Sequence, residues 1–187
     1  VANNLNDLGK VHPALLARTA GAWLKNATVY RKALIEHALR SAVKRGDPDA
    51  LKLLGYGKKP AVAIEDVSFS PRRVPIGGKV TVSFVLRSKS REPQELLVDL
   101  AVHFVKARGN SSKKVFKLKR VLLPPRGMAE LSSGVSLKVH TTRKPQPGKH
   151  AVEVLVNGTA FKVGSFDVTV ARPHVSRCLP SSAGDLS

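Results

Sequence analysis

Residues 95–105 read ELLVDLAVHFV. Leu96, Val98, Leu100, Val102 and Phe104 fall at every second position, which puts them on one face of an extended strand, while Asp99 and His103 point away. A strand with one apolar side needs a second layer to cover it. The flanking sequence supplies that layer. Val62, Ile64, Val67 and Phe69 form an earlier run whose phase shifts after Ile64, and Val80, Val82, Phe84 and Leu86 alternate at strict period two. Val115 to Leu123, Met128 to Val139, the set Val152, Val154 and Val156, and Phe161 to Val170 continue the series. Arg108-Gly109-Asn110-Ser111 and Pro124-Pro125-Arg126-Gly127 have turn compositions, and Asn157-Gly158 is the favoured two-residue hairpin turn. Seven strands with no helix between them predict an immunoglobulin-like β-sandwich over residues 58–172.

Upstream the period changes from two to 3.6. Leu15, Leu16, Thr19, Ala20, Trp23 and Leu24 predict an amphipathic helix over 12–25 with Trp23 in its core-facing stripe. Thr28 caps a second helix to about Lys44, with Tyr30, Leu34, Ala38 and Ser41 along one face and Ile35, Leu39 and Ala42 widening it. Gly46 ends that helix, and Asp47-Pro48 starts a third, short one through Leu54. Short helices joined by brief turns point to a HEAT-like helical-repeat fragment over residues 1–57, so the fold class is two-part, α then all-β. Gly55-Tyr56-Gly57-Lys58-Lys59-Pro60 reads as the linker, and residues 173–187 as a tail without fixed structure. The first residue is Val1, and the Asn-rich opening reads like the interior of a helix, so an upstream portion is expected.

Charge narrows the partner class. The 32 Lys and Arg against 13 Asp and Glu give +19, and a field of that sign draws polyanions. Residues 1–57 hold 9 basic and 4 acidic side chains, whereas 58–172 hold 22 and 8, so the sandwich is the stronger candidate for meeting phosphate. Aromatic content of only 5% leaves the core to Val, Leu, Ala and Ile. Cys178 is the single cysteine, which excludes the intersheet disulfide of antibody domains and favours a cytoplasmic home. No apolar run approaches the length of a membrane span.

Three basic clusters stand in the sandwich: Arg72 and Arg73; Lys113, Lys114, Lys117, Lys119 and Arg120; and Arg143, Lys144, Lys149 and His150. Lysines on an edge strand also serve to stop it pairing with other chains, which accounts for Lys117 and Lys119 but not for loop residues. Lys113, Lys114, Arg143, Lys144, Lys149 and His150 are therefore candidate phosphate contacts, and Thr141 and Thr142 add hydroxyls for phosphate oxygens. In the opening segment Asn3, Asn4 and Asp7 share one polar helix face that could meet solvent or a nucleic-acid ligand, and on the residues alone Asp7 reads as a solvated helix end. No P-loop, dinucleotide-binding turn or zinc helix is present. His174 and Cys178 are two ligands where a structural zinc takes four, so neither metal nor cofactor is expected.

Val1-Ala2-Asn3-Asn4-Leu5-Asn6-Asp7, followed by His12-Pro13, resembles the late helical repeat of the AlkC-type DNA alkylation repair glycosylases. His37-Ala38-Leu39-Arg40, Val43-Lys44-Arg45-Gly46-Asp47-Pro48 and Leu53-Leu54-Gly55-Tyr56-Gly57 are similar to the repeat and linker before that family's immunoglobulin-like domain. Val102-His103-Phe104-Val105-Lys106-Ala107, Lys114-Val115-Phe116-Lys117-Leu118-Lys119, Thr141-Thr142-Arg143 and Pro147-Gly148-Lys149-His150 are similar within it. The resemblance implies HEAT-like repeats that cradle damaged duplex DNA, a sandwich that closes round the other side, and excision of bases alkylated at N3, such as 3-methyladenine. It also places the family's last catalytic Asp on Asp7. A carboxylate there would stabilise the sugar cation formed as the glycosidic bond breaks. The family's earlier motif, a Glu before an Arg-Pro-rich stretch and a Trp, has no match from Val1 onward, so this chain alone is expected to be inactive.

Two other functions fit the residues. A non-enzymatic module could grip DNA backbone with the basic loops alone. An immunoglobulin-like domain could equally bind a protein or an acidic glycan, since fold does not fix function. In each case the chain is expected to act as a monomer away from membranes.

Overall fold

The computed structural model describes residues 1–107, 109–139 and 145–170. Four helices come first: α1 (Ala2–Val11), α2 (Pro13–Leu24), α3 (Val29–Arg45) and α4 (Pro48–Leu53). Pro13 sets the first break, because the residue before a proline is steered out of the helical region and His12 lies at φ −124°, ψ 70°. The capping signals act as the sequence predicts. Thr28 Oγ1 accepts from the Arg31 N–H, Gly46 closes α3 in the left-handed region at φ 77°, and Asp47 accepts from the Ala50 N–H. Among the described residues no helix is long and apolar enough to cross a membrane.

The buried stripe of the helices is narrower than their periodicity suggests. Leu16 and Ala20 of α2 pack with Ile35, Ala38, Leu39, Ala42 and Val43 of α3 and with Ala50 and Leu51 of α4. Trp23, expected in the core, is 37% exposed, and Tyr30 is 89% exposed. A 3.6-residue period fixes which residues share a face, but the neighbouring helix decides how much of that face is covered.

Eight strands follow: β1 (Val62–Ser70), β2 (Arg73–Pro75), β3 (Lys79–Ser88), β4 (Gln94–Val105), β5 (Ser111–Leu123), β6 (Met128–Ser136), β7 (Gly148–Val156) and β8 (Thr159–Thr169). They form a three-stranded sheet ordered β1-β3-β6 and a five-stranded sheet ordered β2-β8-β7-β4-β5. Among the described residues there are eight strands where seven are expected. The extra strand, β2, pairs parallel to β8, and three residues ending in Pro75 are too few to display alternation. Val80, Val82, Phe84 and Leu86 meet Leu96, Val98, Leu100, Val102 and Phe104 across the sandwich. The phase shift after Ile64 is a bulge between Glu65 and Ser68, with Asp66 at φ 51°.

The helices lie on the outer face of the five-stranded sheet. Leu97 points out from β4 into the helical core, and Tyr56, from the segment read as a linker, is buried there too. Around them Arg120 on β5 bonds Glu36 on α3 at 2.8 Å and lies 5.9 Å from the Tyr56 ring centre, while the Tyr56 hydroxyl donates to Glu95 at 3.3 Å. Asp99, the next outward residue after Leu97, is buried, and desolvation raises its pKa against the opposing pull of Lys117 and Lys44. At the far side the Asn157-Gly158 hairpin, with φ 47° and 76°, supports the α3–α4 turn. A Cβ on Gly158 would stand 2.5 Å from Leu51 Cδ1 and 3.3 Å from Gly46 Cα.

His150 belongs to the sandwich core and is completely buried. Its ring stacks on Phe166 at 5.4 Å and meets Phe104 edge-on at 5.6 Å. Nε2 lies 3.0 Å from the Gln146 carbonyl, which can only accept, so Nε2 carries the proton and Nδ1 accepts from the Val105 N–H at 3.4 Å. Burial holds its pKa below the ordinary 6.5 and keeps the ring neutral.

Two outcomes follow from these contacts. Gly158→Ala should destabilise the chain by about 2 kcal/mol and Gly77→Ala by about 1, because both glycines have positive φ but only Gly158 has a neighbour in the way; thermal melts of the two variants check this. For His150, the unfolded chain takes up a proton first as pH falls, so stability is complete above the ordinary value of 6.5 and declines as pH drops through it. Urea midpoints should therefore fall between about pH 7 and about pH 5, and fall less in His150→Phe.

Candidate nucleic-acid interface

Asn3, Asn4 and Asp7 are exposed on α1, as their shared face requires. Packing of α1 on α3 brings two basic side chains to them. Arg40 Nη1 and His37 Nε2 both lie 3.0 Å from Asn3 Oδ1. Because arginine can only donate, that atom is an oxygen and the histidine must donate to it as well. Asn6, one position before Asp7, is buried and accepts from the Ser41 N–H at 3.2 Å, which fixes α1 against α3.

Asp7 is open to solvent. Its carboxylate pairs with Lys10 at 2.7 Å, one turn along the same helix, and its side chain stays 65% exposed. The Lys10 hydrogen bond is the main cause that holds its carboxyl below the usual range, with smaller help from Asn6 and Arg40. Asp7 is therefore an anion at neutral pH.

A line of positive charge leads from this group to the sandwich. His37, Arg40 and Lys44 follow one another at spacings of three and four, a single stripe of α3. Lys44 at its end acts electrostatically on Asp99 of β4, together with Lys117 of β5. Four residues further along β4, about 13 Å at the rise of a strand, His103 stands opposite Lys113. Helices and lysine row thus occupy the same face of the sheet.

The other predicted contacts are placed as follows. Lys113 is exposed and lies 3.1 Å from Glu153, and Lys149 is exposed opposite Asp167. Lys114, its neighbour on β5, takes the other side of the strand, where its ammonium lies 5.2 Å from the Phe116 ring centre. His150 is corrected: a buried neutral ring with both nitrogens engaged has no free donor for a phosphate. Thr141, Thr142, Arg143 and Lys144 lie outside the described residues, as do His174 and Cys178. Lys10, His37, Arg40 and Lys162 are additions that the sequence reading lacked. The helical spacing of Asp7 with Lys10 and of His37 with Arg40 was visible, but the meeting of α1 with α3 is a tertiary fact.

Comparison with known proteins places this geometry. Residues 63–170 match the family described as "Uncharacterised protein YhaZ, C-terminal Ig-like domain". The uncharacterized protein YhaZ of Bacillus subtilis (strain 168) is 36% identical over 168 residues, which are 90% of this chain and 46% of that protein. The solved structure of Pseudomonas fluorescens alkylpurine DNA glycosylase AlkC, bound to DNA containing an abasic site analog, superposes with a TM-score of 0.86 at 36% identity. That match covers 90% of this chain and 47% of the other, so it includes helices as well as sandwich. The chain spans about half the length of these relatives. The matched stretch, more than half of the residues, shows that the chain belongs to the family of the YhaZ C-terminal Ig-like domain.

Proposed function

We propose that this chain is the DNA-gripping C-terminal part of a DNA repair glycosylase that hydrolyses the N-glycosidic bond of N3-alkylated bases such as 3-methyladenine. The observation that carries the proposal is an ionised Asp7 beside Arg40, with Lys44 on the same helix as Arg40 and with Lys113 and Lys149 on the face of the sheet that the helices cover in part. The likeness to a glycosylase solved on DNA, over helices and sandwich together, supports it. In this reading α1–α4 end a HEAT-like array over residues 1–57, and residues 58–172 form the clamp. The protein acts as a cytoplasmic monomer and needs no metal or cofactor.

The chemistry assigned to Asp7 follows from its charge. An alkylated base is a cationic leaving group, so the bond to the sugar breaks with positive charge building on the sugar ring. An anion held nearby lowers the energy of that state more than the energy of the bound substrate. Lys10 keeps the carboxylate ionised, and phosphates flanking the lesion compete for Lys10, Arg40 and His37. Asn3 and Asn4 border the same face as neutral donors, and Lys113, Lys114, Lys149, Thr141, Thr142, Arg143 and Lys144 are assigned to backbone contacts.

The test uses a protein of the relatives' full length that carries this chain. Asp7→Asn should slow release of 3-methyladenine from methylated duplex DNA at least about a hundredfold, with binding to undamaged duplex no weaker. Release unchanged by Asp7→Asn rejects the role of Asp7, and a full-length protein that binds duplex without release favours a DNA-binding module.

A further inference from the structure

The open half of the five-stranded sheet carries a groove that the proposed chemistry does not use. Register fixes its rows. Arg73 of β2, Asp167 of β8 and Lys149 of β7 stand side by side, and the next row runs from Ser165 through Ala151 and His103 to Lys113 on β5. Lys162 of β8 lies opposite Glu153 of β7 in the row beyond. Of these, His103, Lys149, Ala151, Glu153, Lys162 and Ser165 line an open groove of about 580 Å³, with Val152 and Gly164 among its walls, and Arg73, Asp167 and Lys113 stand beside it in register.

Glu153 is the informative residue. It is half-buried in a surface where basic side chains outnumber acidic ones, and its Oε2 lies 3.1 Å from both Lys113 Nζ and His103 Nε2. Contact with His103, then with Lys113, keeps its carboxyl below the usual range. One carboxylate oxygen therefore sits within ion-pair reach of an ammonium and an imidazole nitrogen without a well-aligned hydrogen bond to either, a place that a phosphate oxygen could take over. The span suits a nucleic-acid strand. From β5 to β8 there are three strand spacings, about 14 Å, and a DNA strand carries one phosphate per about 3.4 Å of rise.

We propose that this groove is a track for one sugar-phosphate strand of duplex DNA, in which Glu153 occupies the Lys113–His103 site until a phosphate displaces it. The inference rests on the DNA-binding reading above and adds Lys162, Arg73 and Ser165 to the contacts. Glu153 weakens binding by competing for Lys113, and holds the site in shape when no DNA is present. Lys149 and Lys162 flank it without a carboxylate to displace at 4 Å or less among the described ion pairs.

Binding of the full chain to an undamaged duplex, followed by fluorescence anisotropy between about 50 and 200 mM salt, tests this. Lys149→Ala and Lys162→Ala should each make the log-log salt slope shallower by about 0.9, whereas Glu153→Gln should tighten binding and steepen the slope by about the same amount. Lys79→Ala and Glu130→Gln change the same charges on the three-stranded sheet and should leave the slope unmoved. If the parent chain binds duplex but all five variants shift alike, or none does, the track is overturned while the Asp7 face remains. A parent chain that binds no duplex overturns the DNA-binding reading and the track with it.

Discussion

The burial of Leu97 decides how the two halves of this chain stand to one another. A strand buried on one side only would show water a polar outer face, yet β4 offers Leu97 to the helices and Leu96 and Val98 to the sandwich. Burying one such side chain contributes about 2 kcal/mol. Polar contacts then fix the angle: Arg120 reaches Glu36 and lies over Tyr56, and Asn157 at the other edge accepts from the Leu97 N–H at 2.9 Å. Apolar contact supplies the attraction, and the polar contacts around it select one orientation.

That orientation gives the charge its direction. A net +19 spread over a sphere would only attract polyanions loosely, whereas basic residues gathered on α3 and on the same face of the sheet concentrate the field there. Three acidic side chains along this face have basic neighbours. Asp7 faces Lys10, Glu153 faces Lys113 and His103, and Asp99 lies under Lys44 and Lys117. The pairing keeps the free surface ordered at modest cost, because partly exposed ion pairs are weak and exchange readily with phosphate.

Much of the sandwich was legible because its rule is local. Alternation in 95–105 and 80–86, the phase shift after Ile64 and the Asn157-Gly158 turn each map onto a strand, a bulge or a hairpin. Helix ends were legible for the same reason, since Thr28, Gly46 and Asp47 act on their own backbone neighbours. What the pattern could not carry was contact between distant segments. Trp23 and Tyr30 sit at core-like spacings and remain exposed, His150 looked like a surface base and is a core ring, and β2 is too short to have a period. The candidate site divides the same way: Asp7 and the lysines were visible as residues, but Arg40 and His37 reach them only through folding.

The position of Tyr56 bears on where this molecule can be cut. The stretch that matches the family's Ig-like domain begins at residue 63, after the helices and after Tyr56. A fragment trimmed to that limit would lose the cover over Leu97, leave Glu95 and Arg120 without their cross-layer partners, and turn a seam into an oily, sticky strip. The border of the matched domain and the border of the packing thus differ on this polypeptide: the surface buried around Leu97 and Tyr56 runs past the domain's first residue into the helices.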